Sequence, residues 1–302
     1  MPPPSPTPDL RDLLPSWVLS MRAERKSPAT IEQYTRGVRM YLDYCADVGC
    51  PAVLTKANAQ GFMAHLLDEG REATTVRARQ LALQRFAAYL LDEGEIPADP
   101  LAGLRAPKID TKIVQPLTEP QLRDLLAACK GSTFADLRDQ ALVRFMVETG
   151  ARAGEVVAIE LADVDLLAGM AVIRRGKGGK GRVVPFGPQT ARALDKYIRK
   201  ARRSHPLADT PALWLGGQSK TFGYDALFKG LRARAAAAGI TGFHPHLLRH
   251  TAAHRWLAAG GSEGGLMAVA GWSKPDMLMR YSRARASERA ATEARDLNLG
   301  DI

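Results

Sequence analysis

Apolar residues in the first third of the chain return at a helical interval. After Ser27 and Pro28 they stand at Ile31, Tyr34, Val38, Tyr41, Leu42 and Cys45. A spacing of about 3.6 residues turns one face of a helix toward a core. Ser27 offers a capping hydroxyl and Pro28 suits the first helical position, so a helix starts there and stops near Gly49. Comparable runs predict helices from about Thr55 to Leu67 and from about Ala73 to Leu91, closed by Gly70 and Gly94. Residues 9–94 therefore read as one helical domain.

Residues 95–117 hold four prolines and little periodicity, which predicts a linker. Thr118 and Gln121 have capping-box spacing and open a second domain, residues 118–302. Helices are expected over about 118–130 and 134–148. Then the interval changes, and three short runs, Glu160–Val164, Met170–Arg174 and Arg182–Pro185, predict strands. The turn Gly176-Lys177-Gly178-Gly179-Lys180-Gly181 would join the last two as a hairpin. Beyond residue 188 the pattern is helical again to the end, including a tail helix over about 284–297. No internal repeat is visible. The expected fold class is mainly α with a small antiparallel sheet: an N-terminal helical domain followed by a mixed α/β domain. Residues 1–8, rich in proline, read as a disordered leader without the basic and apolar regions of a signal peptide.

Composition adds few constraints. The 302 residues are long enough for two cores, and 46% hydrophobic with 25% charged residues is ordinary for a globular chain. No apolar run approaches the roughly 20 residues needed to cross a bilayer, so no membrane partner is expected. The three cysteines, Cys45, Cys50 and Cys129, are too few and scattered for a disulfide framework, which points to the reducing cytoplasm. Charge is more telling once located. Residues 1–108 carry 13 basic and 13 acidic side chains, leaving 29 basic and 19 acidic in residues 109–302, so the whole excess of +10 lies in the second part (29 − 19). A basic surface is the footprint of a polyanion binder.

The second domain also holds the candidate chemistry. His246 and Arg249 lie three apart in His244-Pro245-His246-Leu247-Leu248-Arg249-His250-Thr251, followed by Gly271-Trp272-Ser273 and Tyr281. Arg152 stands upstream in Thr149-Gly150-Ala151-Arg152-Ala153-Gly154-Glu155. Breaking a phosphodiester without a metal needs fixed cationic donors for its oxygens, and the arginine fork fits phosphate better than lysine does. Arg152 and Arg249 answer that need, the latter one helical turn from His246. A departing sugar oxygen needs a proton, which a lysine on the glycine-rich hairpin can carry; spacing alone does not choose between Lys177 and Lys180. A tyrosine nucleophile conserves the bond energy as a phosphotyrosine. His246 can exchange a proton near neutrality. Trp272 offers an indole N–H to a phosphate oxygen.

Rival readings fit less well. His244, His246, His250 and His254 have helical spacings suited to a metal, but no glutamate follows the first histidine and Arg249 lies within the cluster, where it repels a cation. Gly176-Lys177-Gly178 lacks the Ser or Thr of a phosphate-binding loop. No metal and no cofactor are expected. On the helix over 73–91, Arg77, Arg79 and Gln80 could line one face toward DNA, with Lys180 as a further contact.

The ordered set Arg152, Lys177, His246, Arg249, Trp272 and Tyr281, with its flanking text, resembles the tyrosine recombinase, or phage integrase, family. Residues from about Ser27 to Leu91 look like that family's helical core-binding domain. The resemblance implies a simple two-domain member, without room for the extra arm-binding domain of some phage integrases. It implies that Arg152 and Arg249 clamp the scissile phosphate and that Lys177 is the general acid toward the 5′-oxygen. His246 would act in acid–base catalysis, Trp272 would donate to the phosphate or buttress the pocket, and Tyr281 would form the 3′-phosphotyrosine. Glu155 matches the acidic residue that orients its neighbours, and His250 a histidine behind the first. Trp272 stands where many members have histidine; both occur. The implied partners are double-stranded DNA with short core sites, three further copies in a tetramer on DNA, and accessory DNA-bending or directionality factors, the chain being a monomer free in solution. The family also implies a clamp around duplex DNA and a location on the nucleoid. A type IB topoisomerase shares the chemistry but not the two-domain size, and a catalytically silent DNA-binding regulator would not need the complete residue set.

Overall fold

Among the described residues, buried apolar side chains form two large cores and a smaller cluster of Ala253, Leu257, Leu266, Ala270, Trp272 and Leu278. The computed structural model describes residues 9–109, 115–174, 181–217, 220–275, 278 and 297. The expected leader, the glycine-rich hairpin turn with Lys177 and Lys180, Tyr281 and most of the tail lie outside the described residues. The chain divides into two units, residues 1–112 and 113–302.

In the first unit four helices surround one core: α1 (Leu10–Ala23), α2 (Pro28–Asp47), α3 (Lys56–Asp68) and α4 (Ala73–Asp92). Three begin on side-chain caps, with Asp9, Ser27 and Thr55 accepting from the backbone N–H of Arg11, Thr30 and Asn58. These bonds satisfy donors that a helix start otherwise leaves open. The periodic positions Val38, Tyr41, Leu42 and Cys45 face inward against Phe62, Leu83, Phe86 and Leu90. Trp17 of α1 lies 4.9 Å from Phe86 between ring centroids and closes that core.

The linker expected over 95–117 is less detached than its prolines imply. Leu101 and Leu104 are buried in the first core, whereas Leu117 is buried in the second and donates its N–H to Thr251 Oγ1 at 3.0 Å. Isolated leucines between prolines have no period, so sequence pattern did not mark them as anchors.

Among the described residues, the second unit holds α5 (Glu119–Ala127), α6 (Phe134–Thr149), α7 (Ala153–Val157), α8 (Pro188–Lys200), α9 (Tyr224–Ala237), α10 (Pro245–Ala258) and α11 (Glu263–Ala270). Its antiparallel sheet has the order β1 (Val164–Asp165), β2 (Met170–Ile173), β3 (Arg182–Pro185). Val164 pairs with Ala171, Ala171 with Val184, and Ile173 with Arg182. Ala171, Ile173 and Val184 point inward while Met170, Val172 and Val183 stay exposed, the alternation a one-sided sheet requires. The core is centred on α6, whose Leu142, Phe145 and Met146 pack with Leu194, Tyr197, Trp214 and Leu248. Mainly helical with a small antiparallel sheet is the expected class.

Two stretches depart from expectation. The run Glu160–Val164 is mostly a 3₁₀ turn (Leu161–Asp163) that leads into a two-residue strand. Its acidic residues take the reason with them: Asp163 accepts the Glu160 N–H at 2.9 Å and pairs with Arg174. Residues 205–217 and 220–223, expected to be helical, are irregular, with bridges Glu160–Ala212 and Leu215–Thr221. Pro206 and Pro211 cannot continue a helix. Buried Arg202 instead gathers the carbonyls of Ala208, Thr210 and Ala212 with its guanidinium.

Candidate active site

The site is assembled where the ends of four helices, α6, α7, α10 and α11, meet. α6 closes at Gly150, whose φ of 62° is the left-handed conformation that glycine adopts without strain. The chain reverses there, and Arg152 becomes the N-cap residue of the short α7. Glu155, in the first turn of α7, accepts the backbone N–H of Arg152 at 2.9 Å and its Nη1 at 2.7 Å. A carboxylate at a helix start is favoured by the helix dipole, and here it also fixes the arginine beside it.

Glu155 has a second cationic partner. Arg182, the first residue of β3, places Nη2 2.7 Å from Glu155 Oε2 and donates Nε to the carbonyl of Val269 at 2.7 Å. Burial on its own would raise the pKa of Glu155. The hydrogen bonds from Arg182 and Arg152 outweigh it and hold the carboxyl at about 2. Arg182 was not among the candidates read from sequence. Its signal was strand alternation, since positions 182 and 184 share the inward face, and an arginine there requires a buried acid.

α10 begins at Pro245, with His246 exposed on its first turn and Arg249 one turn on. Arg249 is only 2% exposed. Its Nη1 donates to the Gly150 carbonyl at 2.7 Å and its Nη2 to the Ala270 carbonyl at 2.8 Å. The guanidinium lies 5.3 Å from the ring of Trp272, a buried residue just past α11. The expectation that His246 and Arg249 face one substrate from one helix side is therefore modified: the histidine is at the surface, and the arginine forms the floor beneath it. His246 stands edge-to-face with His250, ring centroids 4.7 Å apart. Desolvation, then electrostatic interaction with Arg249, His244 and Arg152, holds the His246 pKa below its ordinary value, which favours the neutral ring.

Arg152, Glu155, His246, Arg249, His250 and Trp272 thus lie around the junction of α6, α7, α10 and α11, while Lys177, Lys180 and Tyr281 fall outside the described residues. The residues expected on the helical domain separate. Arg77 is exposed on α4. Arg79 is half-buried and donates to the Gln33 carbonyl at 3.3 Å, and desolvation with the neighbouring charges of Arg36 and Arg71 lowers its pKa. Gln80 is a correction. It is 2% exposed, on the core side of α4, and its Nε2 donates to the Leu104 carbonyl at 3.0 Å, so it has no face toward solvent or DNA.

Comparison with known proteins identifies the class to which this fold belongs. The phage integrase family's sequence model matches residues 115–288, and that of the phage integrase N-terminal SAM-like domain matches residues 13–94. The chain belongs to the phage integrase family of tyrosine recombinases. It is 33% identical to tyrosine recombinase XerD of Bifidobacterium longum over 77% of this chain and 79% of the other. With XerD of Listeria monocytogenes it shares 30% identity over 83% of this chain and 86% of the other. Among solved structures, XerH bound to a palindromic difH substrate in a post-cleavage complex superposes with a TM-score of 0.72 at 18% identity, over 93% of this chain and 84% of the other. A lambda integrase dimer bound to a core site gives 0.70 at 16%, over 90% and 94%. Both likenesses are of fold. Among the described residues no helix is long and apolar enough to cross a membrane.

Proposed function

We propose that this recombinase cuts and rejoins double-stranded DNA at short specific sites through a 3′-phosphotyrosine. One observation carries the reading: Arg249 holds the carbonyl of Gly150, two residues from Arg152, and both arginines bear electrostatically on His246. Two cations and a neutral imidazole at one junction suit a phosphodiester, whose transition state gathers charge on its non-bridging oxygens. Arg152 and Arg249 clamp that phosphate, and Trp272 donates to it or supports Arg249. Glu155 orients Arg152, and His250 backs His246.

The chemistry conserves its bonds. The Tyr281 oxygen attacks phosphorus and yields its proton to neutral His246, while the 5′-oxygen leaves with a proton from Lys177, or from Lys180 if that lysine is the one at the phosphate. In the return step a 5′-hydroxyl attacks the phosphotyrosine, and the protons run back. No net hydrolysis occurs.

The helical domain expected over residues 9–94 would hold the duplex through a cationic surface that includes Arg36, Arg71, Arg77 and Arg79, with residues 95–117 leading to the catalytic domain, 118–302. Desolvation, then the nearby charges of Arg36 and Arg71, lowers the Arg79 pKa, which puts three cationic side chains close together on that surface. Four copies on two sites would exchange strands in pairs, a free copy being monomeric; a lambda integrase tetramer bound to a Holliday junction has this fold. DNA-bending or directionality factors would assist, in the cytoplasm. Tyr281→Phe tests the reading. On a nicked suicide duplex bearing the site that wild-type protein selects from a random pool, it should bind with unchanged affinity and form no covalent adduct. Normal adduct formation would remove Tyr281 as nucleophile.

A further inference from the structure

Arg182 bridges two groups of the site without belonging to the set proposed to contact the phosphate. Its side chain is 10% exposed. One nitrogen reaches the Glu155 carboxylate and another the Val269 carbonyl, both at 2.7 Å. Val269 and Ala270 are the last residues of α11, whose final carbonyls have no partner within the helix. Arg182 takes the first and Arg249 the second. The two arginines therefore close a continuous chain of bonds: Gly150 to Arg249, Arg249 to the end of α11, the end of α11 to Arg182, Arg182 to Glu155, and Glu155 to Arg152.

Charge shows why the chain needs its fourth member. Arg152 and Glu155 form an ion pair at 2.7 Å, and such a pair by itself offers an incoming phosphate no net charge (+1 − 1 = 0). Glu155 is deeply buried and fully ionised at neutral pH. Adding Arg182 makes the trio +1, and because Arg182 is turned toward Glu155 and Val269, the surplus is expressed at Arg152, the more exposed of the two arginines (29% against 10%). We propose that Arg182 is a positioning residue that neutralises Glu155, so that the carboxylate can orient Arg152 without cancelling its charge toward the scissile phosphate. The inference rests on the phosphate-clamp reading of Arg152.

The test uses that same suicide duplex and full-length protein. Arg182→Gln removes the charge but keeps a neutral donor near Val269. Single-turnover adduct formation should fall about 100-fold, the scale of losing one preorganised charge at a reacting phosphate, with band-shift affinity held. Removing the carboxylate's charge as well, in Arg182→Gln with Glu155→Gln, returns the trio to +1 and should recover cleavage on the order of tenfold, a non-additivity expected only of coupled groups. A double variant no faster than Arg182→Gln overturns the proposal, because a merely structural arginine gains nothing from a second lesion. Arg182→Lys stands as its own test should the glutamine variant not stay folded. It keeps the charge and should cleave within about tenfold of wild type, whereas a folded lysine variant about 100-fold slower overturns the charge account. Arg152→Gln separates the two ideas: if it cleaves normally the phosphate-clamp reading fails, whatever Arg182 does.

Discussion

Glu155 and His246 show how single residues acquire their protonation states from neighbours. Glu155 is an ordinary acidic residue in sequence, yet between two arginines it stays ionised far below its usual range. The opposite holds at His246, which desolvation, and after it two arginines and a histidine, pushes toward the neutral form. Replacing Arg152 by Gln removes one of those charges, so the His246 pKa should rise in that variant; ring-proton NMR titration would show it, and an unmoved value would mean the two groups are not in electrostatic contact. Residue types and spacing made Arg152, His246 and Arg249 legible in the sequence, because phosphate chemistry calls for those donors. Arg182 was not legible as part of the site, since its partner acid is 27 residues away and brought near only by folding.

At the scale of elements, caps and periods were readable where they are local. Ser27 and Thr118 cap the helices expected of them, the latter in a capping box. Long-range satisfaction was not readable. Gln80 looked like a surface polar residue beside Arg77 and Arg79, but the burying partner is the Leu104 carbonyl, 24 residues on in a stretch without period. Gln80→Leu should leave that carbonyl unpaired in the core and destabilise the first unit by about 1–3 kcal/mol. Chemical denaturation would measure the loss, and band shifts on the folded fraction should show no change in DNA affinity. A weakened affinity without a loss of stability would restore Gln80 to the DNA surface. The ends of α6 and α11 are a matched pair: Gly150 and Gly271 both take positive φ, 62° and 65°, and the carbonyl of the first and the residue just before the second are held by the one arginine. A side chain at Gly271 would be strained by φ and would also press on the Arg182 guanidinium, about 3.1 Å away.

For the whole molecule, the uneven charge is the dominant property. The entire excess of +10 belongs to residues 109–302, the part that also holds the candidate catalytic residues. If phosphate contacts made by that part dominate binding, the logarithm of affinity should fall linearly with the logarithm of salt, with a slope of about −0.9 per phosphate neutralised. Fluorescence anisotropy across a salt series would give the slope, and a flat response would show that apolar or base contacts carry the affinity. Residues 1–108 balance in total, yet within them Arg36 and Arg71 lie near enough to Arg79 to add to the desolvation that lowers its pKa.

Arg249 makes two ways of silencing this enzyme unequal. Its guanidinium fastens the ends of two helices, so an allele that loses it should strand two carbonyls as well as remove a charge from the proposed phosphate clamp, at about 1–3 kcal/mol for each buried group. On the proposed mechanism such an allele should lower the amount of folded protein and be recessive. An allele lost only at Tyr281 should leave folded protomers that still bind DNA, and should be dominant negative when co-expressed with wild type.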